Sequence, residues 1–430
     1  MRVLLLAGNY SPEQTASAPL TTDFARYMKG AGHEVSIVTT FPHYPQWKIW
    51  KGYEGLYRRE EVDGVVVRRV WNYIPHRPTP LKRILYYSSF SFASLPPALF
   101  SGRADLILCV TPPLELAISA RALSLVWGVP YVLWIKDLVP DVAIQLGMLR
   151  NRAMIGAARL LERFAYQTSK RLLVICQSFQ SNICQRDVPP EKVDVVPDWV
   201  DVQAIHPEKS SDGFRRDHDI GVEKFLVLHA GNIGDKQKLE LLVRAAKQLE
   251  SSPEIEFLIV GDGARKPAVM AEAERLAVRN VRFLPLQPES RFAEMLSSAN
   301  VLILHQQSRV SDSVIPSKLL KYMASGRPVV ATAAPHSETA MSVGLAGCGE
   351  VVEPERPDKL ASAILRLSCN PELAQRYGAA GRKFVCENFS REVVLRRLEN
   401  LLCSIAGKSA SVSMLSELPE EQKVASAAGR

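Results

Sequence analysis

SVIPSKLLKYMASGRPVVAT, residues 313 to 332, reads as a loop, a short helix and a buried strand. Pro316 and Ser317 open the helix, and SKLLKYMA is its body. Ser325-Gly326 stops it, Arg327-Pro328 turns the chain, and Val329-Val330-Ala331 is a strand with no polar face. The first N–H groups of a helix have no partner within it and carry partial positive charge, so such a start can hold a diphosphate. Pro316, Ser317 and Lys318 are therefore candidate phosphate contacts.

The same strand-to-helix alternation extends in both directions. In the first half, RVLLLAG (2–8), Glu34 to Thr40, ADLILCV (104–110), PYVLWI (130–135) and RLLVIC (171–176) are strand-like, with helical patterns between them. The second half restarts with KFLVLHAG (224–231) and continues through IEFLIVGDG (255–263), VRFLP (281–285), VLILH (301–305) and PVVAT (328–332). Strands alternating with helices predict parallel sheets covered on both faces. The expected fold class is α/β, with two doubly wound, Rossmann-like domains and a central cleft between them. The expected domains are 1–200 and 201–385, followed by a helix over 386–405. The small, polar, poorly periodic tail 406–430 is expected to be disordered.

With 430 residues, the chain can bury two full cores. A formal charge of +8 suits a phosphorylated substrate, an anionic lipid surface or nucleic acid, or it is simple solvation of an Arg-rich surface. No nucleic-acid-reading motif is present, so no nucleic-acid partner is expected. The seven cysteines are scattered, with no CxxC and no Cys/His cluster, which suits a reducing cytoplasm and argues against structural zinc. MRVLLLAGNY reads as a first strand rather than a signal peptide. No segment reaches the roughly 18 apolar residues of a membrane span. The nearest, ILYYSSFSFASLPPALF (84–100), contains four serines and Pro96-Pro97, and it follows His76, Arg77, Lys82 and Arg83. It reads equally as an interfacial membrane contact and as an amphipathic core helix after a basic loop.

Gly231-Asn232-Ile233-Gly234 ends a strand and precedes a helix, where open α/β sheets bind ligands, and Lys236 and Lys238 add charge. Gly261 belongs to a second such turn, and Leu284-Pro285-Leu286 offers backbone groups to a base. Asp137 and Asp141 follow the strand PYVLWI. A carboxylate there can orient or deprotonate an acceptor hydroxyl, with Lys136 beside it, although Asp137 can equally cap the next helix. Asp217-His218-Asp219 reads as a solvated loop rather than a metal site.

Several pieces in combination and in order carry a family resemblance. They are LLLAGNYSPE (4–13), GHEVSIVTT (32–40), WIKDLVPD (134–141), VVPDWVD (195–201), LHAGNIGDKQ (228–237), FLIVGDGARK (257–266), the 316–332 clamp and NPELAQRYGAAGRKFVCENFS (370–390). Over residues 1 to 403 the chain resembles family 4 glycosyltransferases of the GT-B fold, within the colanic-acid and O-antigen biosynthesis branch. The resemblance implies a nucleotide-sugar held mainly by the second domain, anomeric retention, no obligatory metal or other cofactor, and a C-terminal helix crossing back to the first domain. It assigns Gly8 to Ala18 as an acceptor-side loop, with Asn9 and Ser17 where a glycine pair is usual. Lys136 replaces a frequent histidine. Asn232 takes the place of an Arg, Lys236 that of a Lys and Lys238 that of a glycine. Ser313 and Lys321 replace an acidic pair that holds sugar and ribose.

The function expected from these readings is a retaining bacterial glycosyltransferase. It would move a sugar from a UDP-sugar to a glycan or polyprenyl-diphosphate-linked acceptor in surface polysaccharide synthesis, working peripherally on the cytoplasmic face of the inner membrane. Asp137 and Lys136 are the expected catalytic residues. A UDP-sugar epimerase of the same fold and a non-catalytic partner of another transferase are the alternatives.

Overall fold

The computed structural model describes residues 1–14, 17–77, 79–145, 149–207, 212–306 and 316–410. Ser313 and the end of the tail, 411–430, lie outside the described residues. The chain divides into two compact units, Met1–Val196 with Leu395–Arg430, and Pro197–Val394. Each has its own sheet.

The first sheet has eight strands: β1 (Arg2–Leu6), β2 (Glu34–Thr40), β3 (Tyr57–Val62), β4 (Val65–Val70), β5 (Leu106–Thr111), β6 (Tyr131–Ile135), β7 (Arg171–Val174) and β8 (Val193–Val195). Their order is β3-β4-β2-β1-β5-β6-β7-β8. All neighbours are parallel except β3 and β4, a hairpin that the strand reading passed over. Its turn, Asp63-Gly64, has both φ angles positive (52° and 74°), as a tight two-residue hairpin requires. β1, β5 and β6 are central, and their apolar runs are buried on both faces.

The second sheet is wholly parallel, in the order β11-β10-β9-β12-β13-β14. Its strands are β9 (Phe225–Ala230), β10 (Ile255–Val260), β11 (Val281–Leu284), β12 (Val301–His305), β13 (Val329–Thr332) and β14 (Gly349–Val352). Side chains alternate across it. Leu226, Leu228, Leu258, Leu302 and Ala331 pack on one face with Leu319, Tyr322 and Met323 of the helix Ser317–Ala324. Val227, Phe257, Ile259, Ile303 and Val330 pack on the other with Leu242, Val243, Leu360 and Ile364.

The long helical run after Pro371 is two helices, Pro371–Asn388 and Arg391–Ala406. Between them Phe389 turns the chain and Ser390 forms an isolated bridge. Val200 donates to the Phe389 carbonyl and accepts from Arg391 N–H, and it bridges Ser390. From Leu395 the second helix belongs to the first unit, where buried Glu399 accepts from the Tyr27 hydroxyl (3.0 Å) and meets His33 Nε2 (2.9 Å).

Replacing Glu399 leaves a buried imidazole and a half-buried phenol without this shared acceptor. Glu399→Ala should destabilise the protein by about 2 kcal/mol or more, read as a lower midpoint in urea unfolding.

Candidate active site

The carboxyl ends of β10, β9 and β12 lie side by side in the second unit. Gly231 follows β9 with φ +125°, and Gly261 follows β10 with φ +149°. A Cβ on Gly261 would lie 1.9 Å from the Gly231 carbonyl oxygen, so only glycine lets the two turns meet. Their N–H groups are engaged within the protein. Gly231 donates to the Val260 carbonyl (2.8 Å), Ile233 to Asp262 (2.9 Å) and Gly261 to Leu284 (3.1 Å). Gly234 donates to the Gln237 side chain (3.1 Å). The turns thus offer close approach, not a cradle of donors, and Gly261 serves to back Gly231.

The donors come from the helix Ser317–Ala324. Pro316 is its N-cap, and no side chain caps it. Tyr322 staples the helix to β9: its hydroxyl accepts from Ala230 N–H (3.1 Å) and donates to the Ala230 carbonyl (3.2 Å). Residues four apart share a helix face, so this staple aims Lys318 at the same strand end. A Cβ on Gly231 would sit 3.0 Å from Lys318 Nζ. His229 Nδ1 faces the Ile303 carbonyl at 3.1 Å, which accepts only, so Nδ1 carries the proton. Nε2 is then an acceptor for Lys318 Nζ at 3.4 Å.

Burial holds the Lys318 pKa down to about 8. Burial, reinforced by Lys318, drives His229 well below the usual imidazole value, and burial takes His305 at the end of β12 to about 4. Both imidazoles are therefore neutral at neutral pH, and among these three groups Lys318 alone carries charge. Of the residues expected here, Pro316, Ser317, Lys318, Gly231 and Gly261 come together. Asn232 and Lys236 are exposed on the turn, and Leu286 is exposed beyond β11. Lys238 pairs with Glu355 (2.8 Å), and Lys321 stacks on the Phe292 ring at 5.2 Å. Sequence reading missed His229 and Tyr322. Their signals were a histidine one residue before the end of an apolar strand and a tyrosine four residues after Lys318 on one helix face.

In the first unit, Asp137 is exposed just past β6. Lys136 donates its N–H to the Thr111 carbonyl (2.9 Å), and its ammonium lies 3.9 Å from the Trp134 ring centroid. Asp141 does not join Asp137 as a second working carboxylate. Arg159 and Arg186 both grip it, and although burial would raise its pKa, the two guanidiniums hold it below the usual value. It is a structural ion-pair member with Glu162.

The loop after β1 contains a polar network that the sequence reading did not single out. Glu13, buried, accepts from Asn9 Nδ2 and from the His43 and Tyr44 N–H groups, each at 2.8 Å. His43 Nδ1 donates to the Phe41 carbonyl (2.8 Å), leaving Nε2 to accept from the Tyr86 hydroxyl (2.9 Å). Burial lowers the His43 pKa, which keeps it neutral in that role. Asn9 is thus a brace for Glu13. Ser17 caps the helix Ala18–Gly30 through its backbone, its carbonyl accepting from Thr21. Among the described residues no group of His, Cys, Asp and Glu is arranged to hold a metal ion.

Residues 210–384 match the family Glycosyl transferases group 1, and residues 16–199 match the Glycosyl transferase 4-like domain. A glycosyl transferase assigned to colanic acid biosynthesis, WcaI of Escherichia coli (strain K12), is 30% identical over 411 residues, covering 93% of this chain and 99% of its own. Among solved structures, HepE of Anabaena in complex with UDP aligns with a TM-score of 0.69 at 15% identity, over 94% of this chain and 100% of that one. WaaG, a glycosyltransferase involved in lipopolysaccharide biosynthesis, aligns at 0.65 and 17% identity over 93% and 99%. At such identities the two structures speak to the fold alone.

The corner around Lys318 makes a signed prediction. An anion bound there favours the ammonium and raises its pKa above about 8, so binding takes up protons. Affinity for inorganic diphosphate should fall as the pH rises from about 7 to about 9, and the measured heat should depend on the buffer's ionisation enthalpy. Lys318→Met should weaken binding by about 1–3 kcal/mol and remove the proton uptake.

Proposed function

This chain belongs to the group 1 glycosyl transferases, with a glycosyl transferase 4-like domain in its first half and the two-sheet GT-B architecture, and we propose that it transfers a sugar from a UDP-sugar to a lipid-linked glycan in bacterial surface polysaccharide synthesis. One observation carries the reading: a buried lysine amine, pressed against a glycine turn at a helix start, in a corner whose two histidines are neutral. That corner fits a nucleotide diphosphate. As the glycosidic bond to the donor breaks, negative charge grows on the departing diphosphate, and a preorganised cation and helix terminus stabilise it. Lys318 and the helix start supply that charge in this mechanism, and no metal is required. The UDP held by HepE and the polysaccharide role of WcaI support the choice of donor and pathway. In the first unit, Asp137 orients the acceptor hydroxyl or takes its proton, with Lys136 fixed beside it by Trp134. Attack from the face that the diphosphate leaves gives retention.

The helix Pro80–Leu99 adds a membrane contact to the proposal. Thr79 caps it, accepting from Lys82 N–H. Tyr86 and Phe90 lie within the segment 84–100 that reads from sequence as an interfacial contact, but they are buried in the first unit and cannot enter a bilayer. The exposed apolar set is instead Leu81, Ile84, Leu85, Phe92, Leu99 and Phe100. Lys82 and Arg77 are exposed beside it. No described helix is long and apolar enough to cross a membrane. The contact proposed is peripheral, on the inner membrane's cytoplasmic face.

The enzymatic test offers purified protein a panel of nucleotide-sugars with a polyprenyl-diphosphate glycan. Turnover of a UDP-sugar alone, with the product anomer matching the donor, is the expected result. Turnover of none, or inversion, would sink the reading. Asp137→Asn should lower kcat by about 100-fold or more while leaving UDP affinity within about twofold of wild type.

Co-sedimentation with anionic vesicles tests the surface. Binding should fall with salt, and it should drop when Arg77 and Lys82 become Gln, each worth about 1 kcal/mol near the bilayer. Protein that stays in the supernatant at low salt removes the membrane contact.

A further inference from the structure

The first unit holds a cavity of about 470 Å³ that the proposed chemistry leaves unexplained. Three helices wall it, the start of Pro80–Leu99, Val139–Gln145 and Arg152–Thr168, together with the segments that follow β5 and β6. Its apolar lining includes Ile84, Leu114, Val139, Met154, Ala158 and Leu161. Its size is that of a small-ligand pocket, about 300–1,000 Å³. Three charged residues share the lining: Arg83, Glu115 and Asp137.

Arg83 is the informative one. Its guanidinium lies over the Trp47 ring, 5.6 Å from the centroid, which fixes its direction. Its Nε is buried and has no hydrogen-bond partner among the described residues. A buried cationic donor without an acceptor is costly, and an anion answers it with a charge-assisted bond. The required ligand therefore has an apolar body for the cavity and an anionic head for Arg83. Burial raises the Glu115 pKa to about 7, so near neutrality a large share of this carboxyl is protonated, and an anionic head beside it would favour the protonated form further. Asp137 lines the same cavity, so a hydroxyl attached to the head group lies within the cavity's own surroundings. Charge complementarity extends outward: Lys82, next to Arg83 in the chain, is exposed, as is Arg77 in the preceding loop, and Leu81 and Leu85 are exposed on the same helix.

We propose that this cavity receives the first segment of the hydrocarbon chain of an isoprenoid phosphate, with the Arg83 guanidinium on the phosphate and the attached sugar at Asp137. The assignment rests on the lipid-linked acceptor reading and gives it a place in the fold. It separates the lipid's phosphate, held by Arg83, from the donor's diphosphate, held by Lys318 in the other unit.

The probe is farnesyl phosphate, titrated by calorimetry into the full chain in saturating UDP, so that the Lys318 corner is filled. Wild type should bind it. Ala158→Trp fills the cavity, and Arg83→Gln removes the cation. Each should weaken binding by about tenfold or more, while UDP still raises the unfolding temperature as it does in wild type. A diazirine analogue of farnesyl phosphate should label peptides within 80–88 or 152–161 of the unmodified protein, which keeps the test decisive if a variant does not fold. No binding under saturating UDP, undiminished binding by folded Ala158→Trp, or labelling only elsewhere overturns the proposal. The two readings fail differently. Farnesyl phosphate bound in the cavity without sugar transfer to any lipid acceptor would leave this inference standing and remove the transfer reaction. Full transfer to a lipid acceptor by Ala158→Trp would do the reverse.

Discussion

A desolvated ammonium without a carboxylate is the constraint on which the second unit turns. Lys318 is held against Gly231, and among the described residues no carboxylate neutralises it. Its neighbours are arranged to tolerate the charge without cancelling it. His229 presents a lone pair because the Ile303 carbonyl has claimed its proton. Tyr322 fixes the helix at both polar groups of Ala230. Gly261 lets the neighbouring turn close up behind Gly231. Salt-bridging Lys318 would remove the cost of burial and also the affinity for an anion. The corner keeps the cost, and in the proposed reaction a departing diphosphate would meet a charge that needs no reorganisation.

The first unit solves a different problem, the placing of polar groups around a largely apolar cavity. Glu13 accepts from the His43 backbone N–H, and the neutral His43 ring, oriented by the Phe41 carbonyl, accepts from the Tyr86 hydroxyl. Asp141 is clamped by two arginines, which leaves Asp137, four residues earlier, as the carboxylate exposed at the end of β6. Two acidic residues four positions apart thus differ in exposure, Asp141 being drawn in by Arg159 and Arg186. The helix Pro80–Leu99 serves two roles at once. It buries Tyr86 and Phe90 in the unit's interior and leaves Leu81, Leu85 and Phe92 outside.

Much of this was legible in the residues. Continuous apolar runs such as ILCV and VLIL, each followed by a turn and a helical pattern, announce buried parallel strands. Pro316-Ser317 and Ser325-Gly326 mark the limits of the helix Ser317–Ala324. The hairpin Tyr57–Val70 was missed even though its Asp-Gly turn is a strong local signal, because charged residues interrupt its strands and break the apolar rhythm. The run after Pro371 has helical composition throughout, and nothing local at Phe389-Ser390 shows that Val200 will pair with it. Contacts with such sequence separation leave no periodic trace.

The sequence by itself determined the strand-helix alternation, the two sheets and the position of Lys318 at a helix start, because these depend on short-range patterns of burial and chain stiffness. Only the tertiary structure decided which polar groups would act together. His229 and Lys318 are 89 residues apart, and His43 and Tyr86 are 43 apart. Asp137, Arg83 and Met154 line one cavity from three separate elements. Charge, proton position and exposure at these groups follow from burial and from the carbonyl or guanidinium that each happens to face, and those are properties of the folded chain.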